Sequence, residues 1–117
     1  MQENQLLRKN NLVYQVGSSI PFTGHSIVSE YSSGRKQQIF RYKDGELYRS
    51  VWYALNGEVR LKENYRDGIL HGEWVEYYAG NRLKEKGHFN KGKKDGLWKE
   101  YYKVHQKEKN YFGKMGF

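Results

Sequence analysis

The sequence predicts an all-β fold, an elongated antiparallel single sheet of consecutive β-hairpins, and three observations predict it. A block of residues recurs at an offset of 24 positions, from Tyr65 to Phe89 and from Trp74 to Trp98. Inside each block apolar and polar residues alternate with period two, the spacing that sends successive side chains to opposite faces of a strand. Glycine and asparagine fall between the alternating runs, where tight turns need a positive φ. With 13 glycines, one proline and 11 tyrosines in 117 residues, the composition suits a thin sheet, twisted or rolled, of half-buried side chains with apolar bodies and wet tips. Aliphatic residues are too sparse for a thick two-layer core.

Along the chain, residues 1–11 have no apolar stripe and read as a flexible N-terminal segment. The repeat domain is expected over residues 12–117, with about four units, the last partial. Leu12-Val13-Tyr14 and Phe22-Thr23-Gly24 lead in, and Ser33-Gly34 marks an early turn. Tyr42-Lys43-Asp44-Gly45 matches Tyr65-Arg66-Asp67-Gly68 at an offset of 23, and Asn56-Gly57 supplies the next turn. In this earlier unit Arg49 and Val51 stand where the second glycine and the tryptophan are expected.

The two best units follow. Tyr65, Gly68, Gly72 and Trp74 are matched by Phe89, Gly92, Gly96 and Trp98, and the tyrosine pair Tyr77-Tyr78 by Tyr101-Tyr102. Alternation places Trp74, Glu76 and Tyr78 on one face and Val75 and Tyr77 on the other. Each hairpin should advance the sheet by about 10 Å, which sets Trp74 and Trp98 that far apart with Leu83 and Phe89 between them. The first glycine of each pair marks a turn, the second a bulge or a close approach. Gly80-Asn81 inverts the expected Asn-Gly order, and Lys103-Val104-His105 lacks a turn glycine. The pattern decays over Lys107 to Gly113.

Read as Tyr-x-x-Gly-x-x-x-Gly-x-Trp-x-x-Tyr-Tyr, these two units resemble the MORN repeat, in the bacterial form of YwqK-type, antitoxin-labelled proteins, over roughly Leu12 to Phe112. The resemblance implies a hairpin sheet and, because MORN arrays serve as membrane-binding, scaffold and dimerisation modules, a binding role. Fold analogy by itself is a weak warrant for function.

The chemistry sought is mostly missing. No cysteine is present, so disulfides and thiolate sites are excluded. His25, His71, His88 and His105 show no metal-ligand spacing, and no metal or cofactor is expected. Glu73, Glu76 and Glu100 lie beside lysines or on solvated strand positions, no glycine-rich loop opens a helix, and Ser18-Ser19 and Ser32-Ser33 lack a nucleophile's surroundings. The expectation is a non-enzymatic chain without catalytic residues. Nothing near Met1 resembles a signal h-region and no run reaches transmembrane length. The chain reads as soluble: cytoplasmic if full length, envelope or secreted if a signal peptide has been removed.

Charge is the informative feature. From Arg82 to Phe117 eleven lysines and arginines face four acids, a net +7 of the chain's +8. Such a field steers an acidic protein, an anionic membrane or a nucleic acid; lysines also simply keep strand edges and hairpin tips soluble. The reading is a protein-binding repeat module, antitoxin-like, immunity-like or scaffolding, whose partner is another protein such as a toxin. The alternative is a peripheral module on anionic lipid through the basic C-terminal half, with nucleic acid behind both. A homodimer through edge strands stays open. Tyr77, Tyr78, Tyr101 and Tyr102 are the candidate aromatic anchors and Lys91, Lys93 and Lys94 the steering cations.

Overall fold

The computed structural model describes residues 1–102 and 108–113. A short 3-10 turn, Glu3–Gln5, precedes ten strands: β1 (Leu6–Lys9), β2 (Leu12–Gln15), β3 (Gly24–Glu30), β4 (Lys36–Lys43), β5 (Glu46–Tyr53), β6 (Val59–Arg66), β7 (Ile69–Tyr78), β8 (Arg82–Asn90), β9 (Lys93–Tyr101) and β10 (Glu108–Gly113). Strands β3 to β10 form one open sheet in chain order, each antiparallel to the next, and β1 and β2 form a separate hairpin. The principal extents are 51 × 41 × 15 Å. Since stacked sheets lie about 10 Å apart, a 15 Å thickness leaves room for one layer with its side chains. The radius of gyration is accordingly 16.4 Å, against about 13 Å for a compact domain of this length.

Turn chemistry alternates from one end of the sheet to the other. The links β4–β5, β6–β7 and β8–β9 are two-residue turns with both central residues at positive φ: Asp44 and Gly45, Asp67 and Gly68, Lys91 and Gly92. That is the requirement of a type I′ hairpin, whose twist matches the strands it joins. Lys91, at φ 50°, adopts it without glycine or asparagine. At the other end the links are longer: Tyr31 N–H donates to Arg35 O, and Ala54 N–H to Glu58 O. Gly80 and Asn81 both take positive φ, at 80° and 60°, so the inverted dipeptide still makes its turn. The expected departure at Lys103-Val104-His105 lies outside the described residues.

The N-terminus differs from expectation. Residues 1–11, read as a frayed end, carry the 3-10 turn and β1, and they pack. Ile27 N–H donates to Met1 O. The Glu3 carboxylate accepts from the Ser26 hydroxyl and, at 3.0 Å, from the Tyr42 hydroxyl. Ser26 and Tyr42 are 0% and 3% exposed, so Glu3 satisfies two buried hydroxyls that would otherwise be costly. This anchor is long-range and polar, and no apolar periodicity announces it. The β1–β2 hairpin is tied on by Val13 N–H to Gly45 O and Phe22 N–H to Val13 O, both 2.8 Å.

Candidate partner-binding surface

Cross-strand partners share a face, so the register defines what each face carries. One line of residues runs Ser26, Phe40, Ser50, Glu63, Trp74, Gly87, with Trp98 over Gly87 and Tyr111 opposite Trp98. The expected place of the early unit's tryptophan, Val51, is therefore shifted: Ser50 occupies that line, because β5 needs three residues from Leu47 to Ser50 where β7 needs four from Leu70 to Trp74. Large rings lie beside small neighbours. Phe40 sits between two fully buried serines, and Trp98 lies on Gly87 and is 0% exposed.

Gly87 corrects the expected tryptophan spacing. With no side chain between them, the rings of Trp74 and Trp98 lean to 5.6 Å between centroids, and Phe89 meets both edge-on at 6.3 and 5.1 Å. Leu83, expected in that gap, pairs with Tyr77 and belongs to the other face. Trp98 Nε1 donates to His88 O at 3.1 Å and Trp74 Nε1 to the Glu63 carboxylate at 3.3 Å, so each buried indole donor is satisfied.

Lys94 is not the tip cation the sequence suggested. It lies 4.4 Å from the Trp98 ring centroid and 5.1 Å from that of Tyr111, bonds the Tyr111 hydroxyl at 2.8 Å and pairs with Glu85 at 3.5 Å. Tyr111 in turn donates to Glu85. This cluster fastens β10 to the sheet. Tyr65 and Gly68 fall at the matching place of the preceding unit, with the Tyr65 hydroxyl donating to Glu63. Gly72 and Gly96, at φ 96° and 72°, have open space or ordinary contact where a Cβ would stand. The bulge they form needs their backbone freedom, not clearance.

Two lines along the same face, Glu76, Glu85 and Glu100 stand side by side, with Lys84 on Glu76 at 3.3 Å. The opposite face is different. Its line runs Ile27, Ile39, Val51, Lys62, Val75, Lys86, Lys99. Ile39, Val51 and Val75 are nearly dry, Val75 at 3% exposure between two lysine stems. In the C-terminal half the aromatic rings and the Glu76, Glu85 and Glu100 row lie on one side together with Lys84 and Lys94; Lys62, Lys86 and Lys99 lie on the other, where Lys86 is 3.8 Å from Glu73. On the lysine face Leu83, Lys86, His88, Leu97, Lys99 and Tyr101 line a groove of about 210 Å³. Phe112, opposite Leu97 in the register, is 74% exposed and Leu97 44%.

The expected anchors are split by this geometry. Tyr78 is on the aromatic face, its hydroxyl donating to Tyr101 O at 3.0 Å and its ring beneath Lys84. Tyr77 and Tyr101 are half-buried, Tyr101 in the groove, and Tyr102 is 54% exposed. Lys91 and Lys93 are exposed at the β8–β9 turn, the Lys91 N–H donating to His71 Nδ1. Sequence reasoning missed Gly87, Tyr111, Leu97 and Phe112. Only Gly87 left a signal, as a glycine inside an alternating run. Among the described residues no three His, Asp or Glu side chains gather as a metal site, and no helix is long and apolar enough to cross a membrane.

Four groups hold their protons tightly. Burial, then the nearby carboxylates of Glu3, Glu63 and Glu85, raise Tyr42, Tyr65 and Tyr111 above the ordinary phenol value of 10.0. For Lys94 burial acts downward, but the Tyr111 hydroxyl and Glu85 outweigh it and the ammonium is raised. In the unfolded chain these groups release protons at their ordinary values, so from about pH 10 upward the unfolded state binds fewer protons than the native one and stability falls. The melting temperature should be flat between about pH 7 and 9 and drop above about pH 10, and Tyr42→Phe should shallow the drop.

No protein-family model matches the chain, and no curated protein is significantly similar to it. Among solved structures it is similar to a chain of a GtfA/B complex bound to UDP and GlcNAc, at 15% identity and a TM-score of 0.47, over 96% of this chain and 26% of that one. The chain therefore spans about a quarter of the length of that structure.

Proposed function

We propose that this chain is a non-enzymatic protein-binding module, of the antitoxin, immunity or scaffold kind, and that it receives an acidic partner on the lysine face. The observation that carries the reading is the line Lys62, Lys86, Lys99 sharing a face with the exposed Leu97 and Phe112. Apolar anchors flanked by cations suit a protein surface of complementary charge. On the other face the rings of Trp74, Phe89, Trp98 and Tyr111 pack on one another. The MORN-like reading of the repeats points the same way, since such arrays act as binding surfaces.

Anionic lipid is the competing class. Lys84, Lys86 and Lys94 each lie within 3.3 to 3.8 Å of a carboxylate, which lowers the field a membrane would feel and favours a patterned partner. Lys94 must be left out of a charge reversal, because it fastens β10. Reversing Lys91 and Lys93 to glutamate should slow association with a partner captured from the native host by about tenfold at low salt and leave dissociation nearly unchanged. Surface plasmon resonance separates the two rates. If the chain captures no protein, yet sediments with phosphatidylserine vesicles in a salt-sensitive way that the double reversal abolishes, the lipid reading replaces this one.

A further inference from the structure

The eight-stranded sheet has two edges, and the chain treats them differently. At β3 the Ile27 N–H is taken by Met1 O, Gln2 bridges Ile27, the Gln2 side chain holds Glu30 at 2.7 Å, and register shifts follow from Ile27 to Glu30. That edge is occupied and irregular, the usual way of preventing strand addition. At β10 six consecutive residues, Glu108 to Gly113, pair with β9 without a register shift. Among the described residues no strand lies on the outer side. The strand is held in place by the Tyr111, Lys94 and Glu85 cluster, so its outer row of N–H and C=O groups is presented in a regular array. Phe112 projects beside it, 74% exposed.

We propose that the outer edge of β10 docks an extended, acidic segment of the partner protein, which joins the sheet as a further strand and lays an apolar side chain against Phe112 and Leu97. Main-chain hydrogen bonds supply affinity in this mode and side chains supply selectivity. Charge selects the occupant. In β8 to β10 and their links, the described residues from Arg82 to Gly113 include eight lysines and arginines against four acids; a second copy would bring the same excess against it, whereas a carboxylate-rich strand is attracted. The proposal rests on the protein-binding reading and adds to it the edge, the extended conformation and the acidic character.

Three labelled heptapeptides test it by fluorescence anisotropy: alternating Glu and Val, alternating Lys and Val, and the Glu–Val sequence with every peptide nitrogen methylated. The first should bind at least about tenfold more tightly than either other, and Phe112→Ala, a change at an exposed side chain, should weaken it severalfold. Equal binding of the methylated peptide would reduce the effect to charge alone and overturn strand addition. So would absence of binding by the acidic peptide. The chain has no cysteine, so a single Phe112→Cys can form a disulfide only with another copy; a cross-linked dimer in dilute solution would assign the edge to self-pairing instead. Failure of the acidic peptide alongside capture of an acidic protein at the lysine face would remove the edge proposal and leave the protein-binding reading standing.

Discussion

Trp98→Ala should lower the stability of the fold by about 3–5 kcal/mol, the cost of deleting a fully buried large aromatic. Trp98 is 0% exposed and contacts Trp74, Phe89 and Tyr111, with ring centroids 5.6, 5.1 and 6.1 Å away, and Lys94 stacks on it. Its removal therefore loosens three strands and the cluster that fastens β10. A domain of this size has only about 5–15 kcal/mol to lose. Lys93→Ala, at the exposed turn, should change stability by no more than about 0.5 kcal/mol. Urea midpoints of the two variants check both, and equal shifts would show that the interior has been misassigned.

Gly87→Ala should cost about 1–3 kcal/mol for a reason that a second substitution exposes. Gly87 is not among the positive-φ residues, so the backbone tolerates alanine, and Gly→Ala within a strand would ordinarily stabilise by about 0.5–1 kcal/mol. Here the new methyl would fall inside the Trp98 indole. In a Trp98→Ala background the obstruction is gone and Gly87→Ala should become neutral or stabilising. A double-mutant cycle measures that change of sign. Additive costs would mean that Gly87 is not the seat of the Trp98 ring.

The strands and turns were legible because local rules settle them: period-two alternation and the Asp-Gly and Asn-Gly positions place β4 to β9 with little tertiary help. What escaped was set by register. Whether Val51 or Ser50 continues the tryptophan line depends on the length of a bulge, and one residue of difference reverses the face. Lys94 looked like its neighbour Lys93, yet β9 directs it onto the rings of Trp98 and Tyr111. Glu3 looked like part of a loose end, and its two partners, Ser26 and Tyr42, are 23 and 39 residues away. The candidate surface was half visible: the charge excess was countable, but its division, with Lys62, Lys86 and Lys99 opposite the rings and Lys84 and Lys94 beside them, follows only from the cross-strand pairing.

Ring packing of Trp74, Phe89, Trp98 and Tyr111 on one face leaves Leu97 and Phe112, beside Lys86 and Lys99 on the other, to bind an acidic protein. The most direct test is site-specific photocross-linking in the native host, with benzoylphenylalanine placed singly at Leu97, at Phe112 and, on the aromatic face, at Lys84. One acidic protein should be cross-linked from Leu97 and Phe112 and not from Lys84. Cross-linking from Lys84 alone, or no protein from any position while anionic vesicles take up the chain, would contradict that assignment.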